Sequence, residues 1–261
     1  MKDRLKVIFE SLKILDWAVL KEESNTRIVF MIPFKYDYEK GNIPPGYRGM
    51  DYHKIADIVY EKLKVELKNL YANYEGQFFC DKCQENQKES ALKAKLGFRG
   101  INNLIIGQNT GSYGFICHID SNIEVEDNIY GEAREAECMK CMKCVEVCPG
   151  GAISENAFEK EKCASFISQK KGELEAWEKE ILKKAGNVYG CTICQEICPH
   201  NLDKGKIGLE EFEWNKMKNL EKDDLKDRTN KTFMNEYGYR GFAWRGKKTL
   251  ERNIDILSEK K

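Results

Sequence analysis

The chain has 261 residues, of which 41% are hydrophobic and 33% are charged, proportions typical of a globular protein with a buried core. Lysine plus arginine and aspartate plus glutamate each total 43, which excludes a strongly basic nucleic-acid binder and leaves any basic surface local. The longest apolar run, "IVFMIPF" from Ile28, is far too short to span a bilayer, so no membrane association is expected.

The first 130 residues begin with helical and strand patterns. Residues 1–20 place their large apolar side chains on one helical stripe with charges opposite, and they do not resemble a secretion signal. Residues 26–36 are rich in strand-forming side chains, and residues 53–72 return to helical spacing. Helix, strand and helix are therefore predicted in that order.

Three further elements are predicted before residue 130. "GQFFC" predicts a strand, and "KESALKAKLG" predicts a helix closed by Gly97. "NNLIIGQNTGSYGFICHI" predicts a hairpin that turns between Gly107 and Gly111. The mixture of helices and strands predicts an α/β or α+β domain, and the chain as a whole is expected to be α+β.

Cysteine usage marks the expected domain boundaries. Residues 138–198 hold eight of the eleven cysteines. So many cysteines in such a chain favour metal ligation in a reducing cytoplasm over a disulfide framework. We expect a first domain at 1–130, a cysteine-rich domain at 131–205, and a C-terminal extension at 206–261 that packs on the core.

The densest chemical signal is "ECMKCMKCVEVCPG". Bacterial ferredoxins use this cysteine spacing to hold [4Fe–4S] clusters, with the fourth cysteine ligating the other cluster. Zinc is the alternative, but zinc sites prefer two separated pairs of ligands. The run therefore predicts an iron–sulfur protein. Its cysteines are Cys138, Cys141, Cys144 and Cys148.

A second run, "CTICQEICPH", supplies only three cysteines. With crossed ligation, Cys198 joins the first three cysteines of the earlier run on one cube. The other cube then receives Cys148, Cys191 and Cys194 and lacks one ligand. Cys163 is the only other cysteine nearby in the sequence, so it is the expected fourth ligand.

These motifs together resemble the epoxyqueuosine reductase family. The family's ferredoxin-like run, its lone cysteine and its "YGCxxCQxxCPxN" motif are matched by "CMKCMKCVEVCPGGAI", "CASF" and "YGCTICQEICPHN". Upstream, "RGMDYH" matches "RGxDYH", and "KLGFRGINNLIIGQNTGSYGFICHI" is similar to "GLGWxGKN…GSWxFLGEI". "YGYRGFAWRGKKTLERNIDIL" resembles the segment before the family's helical repeats.

The resemblance implies a fold and a reaction. The fold would be a nitroreductase-like cobalamin-binding α/β domain followed by a ferredoxin-like domain with two [4Fe–4S] clusters. The reaction would be the reduction of epoxyqueuosine to queuosine in tRNA, with electrons from a low-potential donor such as flavodoxin or ferredoxin. Cobalamin would carry the hard chemistry.

The resemblance also implies individual site residues. The family's general acid, an aspartate, falls on Asp81 when residues are counted back from the "LGF" motif. Burial that raises its pKa would keep such an acid protonated. The matched motifs place the cofactor contacts at Arg48, Tyr52, His53, Asn102, Ile105 and Ser112.

Several residues depart from the family pattern. Ile101 replaces a lysine, and the chain stops at Lys261 without the helical repeats. Cys80, Cys83 and Cys117 are left over. They predict either a third metal site, completed by Cys117 or His118, or simply small buried thiols. These departures bear more on the substrate than on the cofactor.

A basic and aromatic segment follows the cysteines. Residues 226–252 contain eight Lys or Arg against three Asp or Glu, interleaved with aromatic side chains. This composition predicts either a surface that contacts RNA or a packed C-terminal segment with solvated charges. For the whole chain, the alternatives to the tRNA enzyme are a two-cluster electron-transfer protein and a corrinoid reductase with another substrate.

Overall fold

The structure, a computed structural model, describes residues 1–81, 86–131 and 136–259. Within these ranges the strands are β1 (Trp17–Lys21), β2 (Thr26–Pro33), β3 (Gly76–Phe79), β4 (Gly97–Arg99), β5 (Ile105–Gly107), β6 (Gly114–Ser121) and β7 (Ile129–Tyr130). The helices are α1 (Lys2–Ser11), α2 (Tyr52–Leu70), α3 (Gln87–Lys93), α4 (Lys143–Glu146), α5 (Ala164–Ile167), α6 (Ala176–Ala185), α7 (Ile193–Glu196), α8 (Lys222–Leu225), α9 (Asn230–Tyr237) and α10 (Lys247–Ser258). In the described part of the chain, no helix is long and apolar enough to cross a membrane.

The chain divides into two compact units. The first unit contains residues 1–35, 53–139 and 203–209, and the second contains 36–52, 140–202 and 210–261. Residues 210–261 lie in the second unit together with residues 140–202, and the domain bounds expected from the sequence stay predictions. Most of the C-terminal residues share a core with the cysteine-rich segment, because apolar side chains of the last helices pack against residues that flank the cysteines.

The first unit is built on a five-stranded antiparallel sheet with the order β3-β6-β2-β1-β7. Every residue of β2 is buried, because both faces of this strand are covered. On one face, Phe30 packs near Phe9 and Phe78, and Phe78 stacks on Tyr60 of α2. On the other face, Val29 and other strand residues pack against α3. The predicted strand at 26–36 and helix at 53–72 are confirmed.

The first helix is shorter than residues 1–20. It ends at Ser11, and Lys13 takes a left-handed conformation (φ 60°) that the helix cannot continue through. The next residues form β1, whose Trp17 pairs with Phe30. The buried carboxylate of Asp16 fixes this change, because it accepts the backbone N–H of Thr110 at 2.8 Å. Asp16 and Thr110 are 94 residues apart in the sequence, so no local sequence pattern predicts their contact.

The turn predicted between Gly107 and Gly111 is confirmed, because their backbones exchange hydrogen bonds of 2.8 and 3.0 Å, but the predicted pairing of the two arms at 102–119 as a hairpin is wrong. β5 pairs with β4, whereas β6 pairs with β2 and β3. Gly97 begins β4 and does not close the preceding helix, which ends at Lys93. A Cβ at Gly97 would lie 2.0 Å from the carbonyl oxygen of Ile106, so this pairing requires glycine. The predicted strand "GQFFC" is confirmed as β3.

An ion pair crosses the sheet between β2 and β6. The Arg27 guanidinium donates to both carboxylate oxygens of Asp120, at 2.7 and 2.9 Å, and its third nitrogen donates to Ser90 at 3.3 Å. Both side chains are mostly buried. Removing one partner would leave the other charge buried without its counter-charge.

We expect Asp120→Ala to lower the free energy of unfolding by about 3 kcal/mol, since it breaks this buried pair. Urea unfolding monitored by circular dichroism measures the change. The control is Lys64→Ala, which removes an exposed pair with Glu61 and should cost about 0.5 kcal/mol or less. An equal loss in both variants would contradict the role of burial.

The second unit packs its helices around two apolar clusters. One joins aromatic residues of α9 and the following turn to Ile43 and Tyr189, and the other joins α5, α6 and Ile256 of α10. The predicted helix that contains Ile181 and Leu182 is confirmed as α6. Seven of the eight cysteines of the two runs and the insert lie in this unit, and Cys138 lies in the first unit.

Candidate iron–sulfur centre

Four cysteines from three separate segments come together in the second unit. Burial, together with the nearby thiols of Cys163 and Cys148, raises the pKa of the Cys191 thiol to about 12. Burial also raises the pKa of Cys194, with further contributions from Cys191, Cys163 and Cys148. Gly150 lies against Lys162, and Gly190 donates a hydrogen bond to Ser168, so the three segments that carry the four cysteines lie side by side. These are the four ligands expected for the second cube.

The loop that carries Cys148 lies against the segment that carries Cys163. A Cβ at Gly150 would lie 2.0 Å from the carbonyl oxygen of Lys162, so only glycine permits this approach. The backbone N–H of Ala152 donates to the Cys148 sulfur at 3.3 Å. Hydrogen bonds of this kind stabilise a thiolate and help to set the potential of a cluster.

The insert that follows Cys163 is held by hydrogen bonds from distant residues. Cys163 lies immediately before α5, and Ser168 follows this helix. The Ser168 hydroxyl oxygen accepts the backbone N–H of Gly190, next to Cys191, at 3.0 Å. The fully buried Asn253 amide of α10 donates to the carbonyl oxygens of Ser168 and Val188, both at 2.7 Å. Sequence reasoning missed Asn253, because no spacing signal connects it to the cysteines.

The remaining candidate ligands lie on or beside short helices and tight turns of the two cysteine runs. Lys140 and Met142 both take left-handed conformations, which reverse the chain between successive cysteines. The short helices α4 and α7 contact each other, and Cys144 of α4 is among the thiols that influence Cys194. Cys141 is exposed, whereas Cys138, Cys144 and Cys198 are half-buried. This neighbourhood of the two runs is what crossed ligation requires.

Among residues 1–81, 86–131 and 136–259, no three Cys, His, Asp or Glu side chains are arranged to hold a single metal ion. A four-iron cube has a different requirement, because each thiolate binds a different iron atom. The donor set of Cys148, Cys163, Cys191 and Cys194 fits a cube in number and in chemistry.

Asp81 lies at the end of β3 in a left-handed conformation (φ 57°). Its backbone N–H donates to the Gln87 side-chain oxygen at 3.1 Å, and the Gln87 amide donates to the Phe79 carbonyl oxygen at 3.3 Å. Gln87 therefore holds the residues around Asp81 in place. The Asp81 side chain is exposed, so its neighbours in this unit do not supply the burial expected of a protonated acid.

The charge of Asp81 reaches two nearby groups. Burial and the charge of Arg99 lower the pKa of Lys88, and Asp81 opposes that effect. The Lys88 ammonium donates to the Asn103 carbonyl oxygen at 2.8 Å. The pKa of the Cys117 thiol is raised mainly by burial and by its hydrogen bond with Cys80, with a smaller contribution from Asp81.

The six residues expected to contact cobalamin are divided between the two units. Arg48 and Tyr52 lie in the second unit, whereas the other four lie in the first. Arg48 is buried and donates to the carbonyl oxygens of Ile43 and Glu39 and to the Asp37 carboxylate. These contacts give Arg48 a structural role. A cofactor contact by Arg48 stays a prediction.

The four residues in the first unit have different surroundings. Asn102 is buried and accepts the backbone N–H of Leu104 at 3.3 Å, which closes a turn. Ile105 packs in the core beside α3. Ser112 is buried, and His53 is half-buried at the start of α2.

Two cavities are described in the first unit, with volumes of about 160 and 130 Å³. Ligand pockets usually measure about 300–1,000 Å³. Neither cavity includes Asp81 or any expected cobalamin contact.

The basic and aromatic segment is packed in part, and its contact with RNA stays a prediction. Phe233, Tyr237 and Phe242 are buried in a core cluster, as a packed segment requires. Trp244 is 53% exposed, and the Arg245 guanidinium lies 3.6 Å from the centroid of its ring. An exposed indole with an adjacent guanidinium suits stacking on an unpaired base.

Comparison with known proteins first defines the class. Residues 137–201 match the 4Fe-4S double cluster binding domain. The match spans both cysteine runs and the insert that carries Cys163. The chain is therefore an iron–sulfur protein with a domain for two [4Fe–4S] clusters.

Longer matches define its relatives: the chain is a homologue of the epoxyqueuosine reductases. It is 28% identical to epoxyqueuosine reductase from Lactococcus garvieae over 224 residues and 31% identical to the one from Bacillus subtilis over 210 residues. These alignments cover 85% and 78% of this chain but 62% and 52% of the relatives. The chain thus spans a little over half the length of the curated relatives it matches.

A solved structure matches almost the whole chain. It is the crystal structure of epoxyqueuosine reductase with an epoxyqueuosine-modified tyrosine tRNA stem loop, which is 25% identical with a TM-score of 0.76. The match covers 98% of this chain and 73% of that chain. The resemblance found in the sequence motifs is confirmed, as is a mixed α/β fold.

Proposed function

We propose that this chain is a cobalamin-dependent iron–sulfur reductase that converts epoxyqueuosine to queuosine in tRNA, in the cytoplasm. The observation that carries the proposal is the match of 98% of the chain to epoxyqueuosine reductase holding its modified tRNA stem loop. The two-cluster domain supports the proposal, because two [4Fe–4S] clusters can carry electrons to the reaction site. Removing the epoxide oxygen as water takes two electrons and two protons, and the clusters deliver electrons one at a time.

The two units have separate roles in this proposal. The second unit binds one cube through Cys148, Cys163, Cys191 and Cys194. Cys138, Cys141, Cys144 and Cys198 hold the other cube. A ferredoxin-like arrangement of this kind accepts electrons from a low-potential donor such as flavodoxin or ferredoxin.

The first unit would supply most of the nitroreductase-like domain that binds cobalamin and the base. Cobalamin enters the proposal through the resemblance of the motifs, with contacts at Arg48, Tyr52, His53, Asn102, Ile105 and Ser112. Asp81 is the proposed general acid, which gives a proton to the departing epoxide oxygen. Since Asp81 is exposed in this unit, bound substrate or cofactor must shield it from water during the reaction.

The tRNA surface is proposed to include the exposed part of the basic and aromatic segment. Trp244 and Arg245 are the residues best placed there to stack on an unpaired base. Phosphate contacts by the neighbouring lysines and arginines would make the affinity fall steeply with salt.

Two measurements test the proposal in order. Anaerobically purified protein with both clusters is first mixed with cob(II)alamin, and the visible spectrum and co-elution on a sizing column are recorded. A shifted corrin spectrum that co-elutes is expected. Unshifted, separately eluting corrin would favour the electron-transfer alternative.

The second measurement uses an epoxyqueuosine-containing tRNA stem loop with dithionite as the reductant. Queuosine is the expected product, detected by mass spectrometry of the digested nucleosides. If corrin binds but no queuosine forms, the chain is a corrinoid reductase with another substrate.

A further inference from the structure

Two cysteines outside the cluster domain face each other across strands of the first unit. Phe79, the last residue of β3, pairs with His118 of β6 in antiparallel register. Continuing that register by one residue places Cys80 directly opposite Cys117. Directly opposed residues of antiparallel strands have Cα atoms about 4.5–5.5 Å apart, which lies within the range found in disulfides.

The two side chains also make contact. The Cys80 and Cys117 thiols hydrogen-bond to each other, and both cysteines are free. The register brings the two Cα atoms into the range found in disulfides, and the hydrogen bond makes the two side chains neighbours.

The surroundings make the two thiols unequal. Cys117 is fully buried on the central part of the sheet, whereas Cys80 retains 5% exposure at the end of the edge strand β3. Burial and the hydrogen bond to Cys80 raise the pKa of Cys117, because a thiolate is disfavoured in the protein interior. Cys80 is therefore the thiol that an external reagent reaches first, and Cys117 is the resolving partner.

We propose that Cys80 and Cys117 form a reversible cross-strand disulfide, with a low-molecular-weight disulfide such as oxidised glutathione as the oxidant. The Cys80 thiolate attacks one glutathione sulfur and releases one reduced glutathione, leaving a mixed disulfide. The Cys117 thiolate then attacks the Cys80 sulfur and releases the second. Two protein thiols lose two electrons and one glutathione disulfide gains them, with the two thiol protons passing to the two glutathiones.

The bond would tie the end of the edge strand to its central neighbour. Asp81 follows Cys80 directly, and Gln87 already holds the backbone there through Asp81 and Phe79. Oxidation would thus fix the segment that carries the proposed acid. Formation of the bond does not depend on the proposed function.

The sequence makes the bond easy to identify. Trypsin cuts at Lys68 and Lys82, so Cys80 is the only cysteine of its peptide and is separated from Cys83. The peptide from Gly100 to Arg134 contains Cys117 as its only cysteine. A disulfide between these two peptides can therefore join only Cys80 to Cys117.

The test uses the full chain with both clusters, kept anaerobic and incubated with oxidised glutathione. Free thiols are alkylated with iodoacetamide after an acid quench, and non-reduced tryptic peptides are analysed by mass spectrometry. We expect the Cys80 and Cys117 peptides to be joined, with the loss of two alkylated thiols per chain, and dithiothreitol to restore both.

Two variants complete the test. Cys83→Ala should still form the crosslink, whereas Cys117→Ala should stop at a glutathione adduct on Cys80. The inference is overturned if Cys80 and Cys117 of the unchanged chain remain alkylated throughout, or if Cys80 joins only Cys83. Since the unchanged chain alone decides these outcomes, a variant that fails to fold does not obscure them.

Discussion

Replacing Cys163 with alanine should remove one of the two clusters and halve the iron and sulfide bound per chain. Cys163 lies outside both cysteine runs, yet its thiol is a neighbour of Cys148, Cys191 and Cys194. A cube left with three protein ligands has one iron open to solvent and is easily lost. The other cube keeps all four of its expected cysteines.

Iron and acid-labile sulfide analysis measures the loss after anaerobic reconstitution, and electron paramagnetic resonance of the reduced protein counts the remaining clusters. The matched control is Cys117→Ala, since Cys117 is buried but lies in the other unit. Its iron content should equal that of the unchanged chain. Full iron content in Cys163→Ala would show that another group supplies the fourth ligand.

Replacing Asp81 with asparagine should lower turnover of the epoxyqueuosine stem loop by about 10²–10⁴-fold, the usual contribution of a general acid. Asparagine has nearly the same shape but cannot donate a proton in this way. Both clusters should be unaffected, because Asp81 is exposed and lies in a different unit from seven of the eight expected cluster cysteines. Corrin binding should also persist, since asparagine keeps the size and shape of the side chain.

Single-turnover assays with saturating stem loop isolate this chemical step. The control is Asp57→Asn, an exposed carboxylate of α2 whose charge, like that of Asp81, reaches Cys117. Turnover should be unchanged in the control. If Asp81→Asn turned over as fast as the unchanged chain, Asp81 would be removed from the mechanism. If both variants lost the same amount of turnover, the loss would reflect a general effect of charge.

Ligand counting predicted the candidate centre better than pattern reading predicted the sheet. Two cubes need eight thiolates, and that requirement alone pointed to Cys163, which the structure places beside Cys148 and Cys191. The ligand roles themselves stay predictions. Cys83 lies outside the described residues, so the third metal site that would include Cys80 and Cys83 stays a prediction.

The errors in the fold share one cause. The end of α1, the role of Gly97 and the pairing of β5 all depend on contacts between residues far apart in sequence. Local periodicity carries no information about such contacts. The long amphipathic helix α2 and the apolar strand β2 were predictable, because the type and spacing of their own side chains indicate which positions are buried.

The hydrogen bonds of Asn253 have a consequence for how the protein is made. The matched cluster domain ends at residue 201, but the loop after Cys163 and the segment before Cys191 are both held by an amide in α10. During synthesis, the ribosome therefore releases every cysteine before it produces the residue that joins these segments. The last cysteine of this cube, Cys194, precedes Asn253 by 59 residues (253 − 194), so stable insertion of this cube is expected only after α10 has been synthesised and has folded against these segments.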